Sequence, residues 1–389
     1  MARDRDGDGV NLLVPAAGLP RVGRRSFLRG AALLGVALGV SGASAGCSGE
    51  PACNCPPPAA PPLPTEETDR TLNIYNWSDY IDDKSIPAFQ AHRNVRVNYD
   101  VYSSNDDLLA KLRAGPTNYD LIVPTSQFIP AYLRLGLIQP LRRDLITNLD
   151  NVDKQFVETD YDPGLKYTVP YQWGTTGIGY DTRKVPGGKI DSWKALFDPA
   201  GPVQGRVSLL REVVDLIGCT LIYLGKDPNS TAAADLAQVT DVLRSLKPRL
   251  RKFTSDTYKD ELAAGELVMA QGYSGDIFQA RDENDAIDYV IPKEGSLGWV
   301  DVMCVPKDAP HPINAAKFIN YVLQPKVAAR ISKYVSYATP VSMAKPLIPA
   351  EQTSDPRIYP PDSIKLAIVT LTGDRIAKWQ AVYDAVLTG

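Results

Sequence analysis

Short apolar segments alternate with helical patterns through most of this chain, and that alternation constrains its fold more than any other feature. Apolar and polar residues with a period of two predict strands at 72–75 and 95–99. Helical spacing predicts helices at 85–92 and 106–114, and an apolar run at 119–124 predicts a buried strand. Strands and helices in this order favour an α/β fold with a largely parallel sheet.

A second α/β run follows near residue 179, and the 389 residues are enough for two α/β lobes with a cleft between them. In open α/β sheets, ligands bind at the carboxyl ends of the strands. This rule singles out the loops 76–80, 103–106 and 125–128. The further predicted elements are strands at 207–210, 267–271 and 289–291 and helices at 212–224, 232–246, 315–323 and 325–333.

The N-terminal segment has the features of an export signal. Residues 23–29 (Gly-Arg-Arg-Ser-Phe-Leu-Arg) resemble the twin-arginine motif, and an apolar run follows at 31–40. At about 30 Å, a bilayer is too thick for ten helical residues, so the run fits a signal peptide. Small residues precede Cys47 as in a lipoprotein cleavage box, although Ser44 stands where Leu is usual. We therefore predict a signal peptide at 1–46 and a lipid on Cys47, with plain cleavage and an unattached protein as the alternative.

Residues 47–69 are predicted to form a tether. The proline-rich stretch 56–64 favours extended polyproline II, which acts as a semi-rigid spacer. Cys53 and Cys55 flank a single residue and have no partner pair at metal-ligand spacing, and export permits their oxidation. Cys219 and Cys304 lie in apolar runs and are predicted to be buried.

Charge and histidine content exclude several function classes. The net charge is −3, which argues against nucleic-acid binding. Residues 1–46 hold six arginines and three aspartates, so the remainder carries −6. Only His92 and His311 occur, and neither a Ser/His/Asp or Cys/His arrangement nor a phosphate-binding loop is readable. No catalytic residue, metal or cofactor is expected.

Glu212 and Asp215 are the first candidate pair. Three residues apart at a predicted helix start, they share a face, and the helix dipole favours their ionised forms. This ionisation favours binding over acid catalysis. The alternative is that they are ordinary acidic residues of a first helical turn.

Two further segments combine carboxylates with aromatic rings. Asp301 follows Trp299 in an apolar strand and needs a partner, either a ligand or a structural Arg or Lys. Trp77 and Tyr80 follow the first strand, where the alternative is that they cap a core. Carboxylates and aromatic faces in one cleft suit an elongated cation. The same residue types also occur in glycosidase sites, which need one protonated carboxyl group.

In combination, several segments make the chain resemble the extracytoplasmic spermidine/putrescine-binding proteins of ABC transporters. The resemblance runs from about Thr71 to Val386. It rests on the segments 75–80 (Tyr-Asn-Trp-Ser-Asp-Tyr), 104–106 (Ser-Asn-Asp), 119–124 (Tyr-Asp-Leu-Ile-Val-Pro), 170–179 (Pro-Tyr-Gln-Trp-Gly-Thr-Thr-Gly-Ile-Gly), 292–295 (Pro-Lys-Glu-Gly) and 337–340 (Tyr-Ala-Thr-Pro).

The resemblance implies an α/β two-lobe periplasmic-binding-protein fold of type II, with mixed, mainly parallel sheets. Lobe 1 would comprise 70–175 and 301–345, and lobe 2 would comprise 176–300 and 346–389. Gln127 and Tyr273 depart from the family's familiar Tyr and Trp, and the family's C-terminal Gln aligns to the apolar stretch around Val369. The implied ligand-binding residues are Trp77, Ser78, Asp79, Tyr80, Thr125, Gln127, Glu212, Asp215, Tyr273, Trp299, Asp301 and Tyr337.

The resulting hypothesis is an exported, lipid-anchored monomer on the outer face of the cytoplasmic membrane. It would capture spermidine or putrescine and deliver it to a permease, without catalysis. The first alternative is another cation, since Gln127 and Tyr273 change the cleft. The others are an exported glycoside hydrolase and a structural surface lipoprotein.

Overall fold

The computed structural model describes residues 65–199 and 201–388. The predictions for the signal peptide, for the lipid on Cys47, for the proline-rich stretch and for Cys53 and Cys55 lie outside the described residues.

Eleven strands are described, and they belong to one mixed arrangement. Most of the predicted strands are confirmed within a few residues. The strands are Thr71–Trp77 (β1), Arg96–Tyr102 (β2), Leu121–Ile122 (β3), Ile138–Gln139 (β4), Thr168–Asp181 (β5), Val207–Leu209 (β6), Lys252–Phe253 (β7), Met269–Tyr273 (β8), Ile287–Val290 (β9), Ser296–Pro306 (β10) and Leu366–Ala367 (β11).

Twelve α-helices are described, and the six predicted from spacing are all confirmed. The helices are Ser85–Arg93 (α1), Asn105–Arg113 (α2), Ile129–Arg134 (α3), Lys194–Phe197 (α4), Val213–Tyr223 (α5), Ala233–Leu246 (α6), Tyr258–Ala263 (α7), Ser274–Glu283 (α8), Pro312–Val322 (α9), Pro325–Val335 (α10), Ala350–Thr353 (α11) and Gly373–Thr388 (α12).

Two groups of parallel strands are joined by two long antiparallel ones. In the first group, β1 lies between β2 and β3 and pairs with both in parallel. In the second group, β6 lies between β7 and β8, again in parallel. The long strands β5 and β10 pair antiparallel with each other and connect the two groups. The predicted α/β class with a mixed sheet is confirmed.

Strand β5 was not predicted, because its glycines hide the strand pattern. Seven of its first eight residues pair with β10, with a register shift that skips Tyr171, and from Thr176 onward it pairs with β8 and β9. Gly177 and Gly179 leave room for close neighbours, since a Cβ atom there would lie 2.4 Å from the Val290 carbonyl oxygen and 2.3 Å from an Ile277 side-chain atom, respectively. Glycine is therefore required in this strand for the close approach of β9 and α8.

The described residues form two hydrophobic clusters, and the larger one includes side chains from both groups of parallel strands. Cys219 and Cys304 are fully buried in it, as predicted. In the described ranges, no helix combines the length and apolar character needed to cross a bilayer.

Candidate ligand-binding site

Several strand ends open onto one cavity of about 280 Å³. The loop after β1, the start of α2, the loop after β3, the start of α5 and the junction of β8 with α8 all contribute to it. The three loops singled out by the strand-end rule therefore meet as predicted. All twelve sequence-predicted residues line the cavity: Trp77, Ser78, Asp79, Tyr80, Thr125, Gln127, Glu212, Asp215, Tyr273, Trp299, Asp301 and Tyr337.

Four carboxylates of the lining form no salt bridge within the described residues. Glu212, Asp215 and Asp301 are buried, with exposed fractions of 4%, 8% and 5%, and Asp276 is partly buried. Within residues 65–199 and 201–388, none of the four forms a salt bridge with a lysine, arginine or histidine. Among the described residues, the printed partner of Asp301 is the Tyr80 hydroxyl and not an Arg or Lys. Buried anionic groups without a cation are costly, so this lining is suited to a cation from outside.

In two of these carboxylates, each oxygen accepts a hydrogen bond from a hydroxyl group. Asp215 accepts from Thr176 Oγ1 at 2.5 Å and from the Tyr273 hydroxyl at 3.3 Å. Asp276 accepts from the hydroxyls of Tyr258 and Tyr337, both at 2.6 Å. These hydrogen bonds fix the aromatic rings around the cavity, because each ring is tied at its polar tip.

The other two carboxylates each have an oxygen without a partner. Asp301 accepts from the Tyr80 hydroxyl at 2.7 Å through Oδ2, whereas its Oδ1 is buried and unpaired. Oε1 of Glu212 is also buried and unpaired. A buried acceptor left unsatisfied costs about 1–3 kcal/mol, and more when it is charged. Each open oxygen is therefore suited to accept a hydrogen bond from a ligand.

Burial raises the pKa values of the four carboxyl groups Glu212, Asp215, Asp276 and Asp301. It raises the pKa of Asp301 to about 7 and that of Asp215 to about 6, although hydrogen bonds from Tyr80 and Thr176, respectively, act in the opposite direction. The pKa of Glu212 is raised well above its ordinary value by burial and by the neighbouring Asp215. Burial also raises the pKa of Asp276. An incoming cation would favour the ionised form of all four groups.

Burial opposes the helix dipole, which is predicted to keep Glu212 and Asp215 ionised, and raises the pKa of both carboxyl groups. Glu212 caps the N-terminus of α5 and Asp215 lies in its first turn, as predicted. A helix N-terminus favours a carboxylate by about 0.3–1 kcal/mol, whereas full burial raises a carboxyl pKa by up to 3–5 units. Desolvation is the larger effect here, although a pKa of about 6 still leaves Asp215 mostly ionised at pH 7.

Aromatic rings form a continuous wall of the cavity. Trp299 contacts Tyr337 and Tyr273 edge-on, with ring centroids 5.1 and 5.6 Å apart. Tyr337 in turn contacts Tyr80 at 5.5 Å. Gly275 permits this packing, because a Cβ atom there would lie 2.6 Å from the Tyr337 ring. Rings in this arrangement can cover a methylene chain and attract a cation to their faces.

The structure adds lining residues that the sequence analysis missed, most importantly Asp276 and Lys259. For Asp276 a signal was available, since it lies at the carboxyl end of the predicted strand 267–271, which extends to Tyr273. Lys259 follows the two-residue strand β7, whose pattern is too short to detect. Among the described residues, no cluster of three or more His, Cys, Asp or Glu side chains could hold a metal ion.

Comparison with known proteins gives a consistent result. The family model of the bacterial extracellular solute-binding proteins matches residues 84–359. The putrescine-binding periplasmic protein PotF of Escherichia coli (strain K12) is 38% identical over 319 residues, which cover 78% of this chain and 86% of the relative.

Solved structures agree with the sequence comparison. A spermidine/putrescine ABC transporter protein of Listeria monocytogenes superposes with a TM-score of 0.78 at 33% identity, covering 82% of this chain and 99% of that one. The Tp0655 (TpPotD) lipoprotein of Treponema pallidum superposes with a TM-score of 0.71 at 29% identity, covering 81% and 99%. The two-lobe periplasmic-binding-protein fold is thereby confirmed, and the chain belongs to the family of bacterial extracellular solute-binding proteins.

Proposed function

We propose that this protein binds a polyamine outside the cytoplasm and delivers it to the permease of an ABC transporter. The observation that carries the proposal is the pair of buried, unpaired carboxylate oxygens, on Glu212 and Asp301, in an aromatic-lined cavity. Ammonium groups supply the missing donors, and the rings cover the methylene chain between them. The relatives named for putrescine and spermidine support the same ligand class.

The twelve predicted residues are proposed as the ligand contacts, in the roles that their chemistry allows. Glu212 and Asp301 would accept hydrogen bonds from ammonium groups, and Asp215 would add its negative charge beside Glu212 while its oxygens accept from Thr176 and Tyr273. Trp77, Tyr80, Tyr273, Trp299 and Tyr337 would line the chain, and Ser78, Asp79, Thr125 and Gln127 would supply polar contacts. Their common position on the cavity supports this assignment.

Ligand binding is proposed to close two lobes. The partner of β5 changes from β10 to β8 between Thr175 and Thr176, which supports lobe boundaries at 175/176. Pairing of β11 with β10 at Ser296–Leu297 supports placing 346–389 with 176–300. A cation held by Asp301 of one lobe and Glu212 of the other would stabilise the closed state by its differential affinity.

Titration of the purified protein with putrescine and spermidine tests the ligand class. We expect saturable quenching of tryptophan fluorescence and a higher melting temperature, because Trp77 and Trp299 line the cavity. Mass spectrometry of the co-purifying ligand identifies it directly. No response to any polyamine at millimolar concentration would contradict the proposal.

A different cation is the second candidate ligand. Gln127 lines the cavity, and the Tyr273 hydroxyl is committed to Asp215, so the lining differs from the family's familiar residues. A competition panel of amino-acid derivatives and modified amines against putrescine separates the two candidates. The relatives are binding proteins of transporters, and we propose no reaction at this cavity. Turnover of a chromogenic glycoside, abolished by Asp301→Asn, would contradict the proposal that no reaction takes place at this cavity.

Delivery to a permease and anchoring through Cys47 complete the proposal. Uptake of radiolabelled putrescine by cells with and without the protein tests delivery. For anchoring, Cys47→Ala is expected to move the protein from the membrane to the soluble fraction, whereas the matched control Cys53→Ala leaves it at the membrane. Similarity to a structurally solved lipoprotein supports the anchor. Size-exclusion chromatography tests the proposed monomer.

A further inference from the structure

Lys259 is the one lysine or arginine among the described residues that line the cavity. A cation in the lining of a site for cations is unexpected, since it opposes the ligand's charge. Seven acidic residues share the lining with it: Asp79, Glu212, Asp215, Asp256, Asp260, Asp276 and Asp301.

The ammonium group of Lys259 is already engaged. It donates to Asp79 Oδ2 at 3.0 Å and to Gln279 Oε1 at 3.3 Å. The Lys259 side chain is 16% exposed, whereas that of Asp79 is 62% exposed. Burial lowers the pKa of Lys259, but its hydrogen bond to Asp79 and the charge of Asp276 outweigh that effect and raise it. Lys259 is therefore charged at neutral pH.

The position of Lys259 is fixed by its neighbour. Tyr258, the first residue of α7, is fully buried, and its hydroxyl donates to Asp276. The same hydroxyl accepts from the Tyr273 backbone N–H at 3.1 Å. The start of α7 is thus tied to the junction of β8 with α8, so Lys259 is held at the cavity.

The buried unpaired acceptors of the lining match two ammonium groups. Glu212 Oε1 and Asp301 Oδ1 are the carboxylate oxygens of the described lining that are buried without a partner. Asp79 is neutralised by Lys259, and both oxygens of Asp276 accept from tyrosines. An additional ammonium group near Asp79 would meet the like charge of the largely buried Lys259 and would be repelled by it.

We propose that Lys259 is a specificity-determining residue that substitutes for a ligand ammonium group at Asp79, so that the cavity selects short diamines over triamines. This inference rests on the proposed polyamine function and specifies its ligand. A residue of this kind acts by weakening the binding of the wrong ligand rather than by strengthening that of the right one.

The test compares Kd values for putrescine and spermidine, by isothermal titration calorimetry, in the purified protein and in Lys259→Met. Methionine keeps a similar length and removes the charge. We expect the preference for putrescine over spermidine to fall at least tenfold, mainly through tighter spermidine binding. Lys259→Arg keeps the charge and is expected to retain the wild-type preference.

Lys252→Met is the matched control, because Lys252 pairs with Glu261 outside the cavity lining. It is expected to leave the preference unchanged. Equal weakening of both ligands in Lys259→Met would overturn the inference, since Lys259 would then only join two parts of the protein. An unchanged preference in Lys259→Met would overturn it too, with the proposed function intact. Absence of any polyamine binding by the wild-type protein would overturn both.

Discussion

Two parts of the cavity lining carry carboxylates in different states of pairing. On α5 and β10, Glu212 and Asp301 each keep a buried oxygen without a partner. Beside α7 and α8, Asp79 is paired with Lys259, and Asp276 accepts from two tyrosines. The difference shows that a ligand needs fewer ammonium groups than the lining has carboxylates. The buried unpaired oxygens gain most from an ammonium group, because Asp79 and Asp276 already have partners within the protein.

The largest expected effect comes from changing the two carboxylates that have a buried oxygen without a partner, Glu212 and Asp301. Asp301→Asn and Glu212→Gln are each expected to weaken putrescine binding at least tenfold, on the order of 1.4 kcal/mol, because each removes the charge of an open acceptor. Isothermal titration calorimetry measures the change. Glu266→Gln, on an exposed salt bridge with Arg251, is the matched control and is expected to leave Kd unchanged. Unchanged affinity in both cavity variants would show that these carboxylates are structural.

The second expected effect is a loss of affinity as the pH falls from 7.5 to 5.5, by about tenfold. Burial raises the pKa of Asp301 to about 7 and that of Asp215 to about 6, so both groups take up protons across this range. A protonated carboxyl group loses its charge attraction for an ammonium group, so binding must release protons. Calorimetry in buffers of different ionisation enthalpy measures that release, which is expected to shrink in Asp301→Asn.

The same pKa shifts set the sign of a stability change in the ligand-free protein. Because the folded pKa values exceed the unfolded values, the folded state binds more protons between about pH 4 and pH 7. These groups therefore contribute less stability as the pH rises through that range. Thermal melts should show a larger stabilisation by putrescine at pH 7.5 than at pH 5.5, and the opposite order would contradict the assignment.

The smallest expected effect is that of a change at Asp79, the carboxylate that is paired with Lys259. Asp79→Asn is expected to weaken putrescine binding by no more than about fivefold, since a largely exposed ion pair contributes about 0–1 kcal/mol. The measurement is the Kd for putrescine beside that of Asp301→Asn. A loss as large as that of Asp301→Asn would remove the distinction between the two parts of the lining.

Much of the fold could be predicted, because periodicity is local. Period-two and helical spacing located β1, α1, β2, α2, α5 and α6 to within a few residues. Strand β5 was missed because Gly174, Gly177 and Gly179 break the apolar pattern. Those glycines are explained by tertiary neighbours, such as Tyr289 and Ile277, which local spacing does not encode.

The candidate site also contains residues that local sequence pattern predicts and residues that it does not. The strand-end rule located Trp77 to Tyr80 and the loop that contains Thr125, and helix spacing found the Glu212 and Asp215 pair. Lys259 lay beyond prediction, because it reaches Asp79 across 180 residues of sequence through the packing of α7. The raised pKa values of Glu212 and Asp215 lay beyond prediction for a related reason, since desolvation depends on neighbours that only the folded chain brings together.

By itself, the sequence determined the α/β class and which carboxylates and aromatic residues are available near strand ends. Its twelve predicted site residues all line one cavity. Only the tertiary structure decided which of those carboxylates are satisfied internally and which remain open. The physical reason is that local periodicity and turn chemistry are properties of neighbouring residues, whereas hydrogen-bond saturation and burial are properties of residues that folding brings into contact.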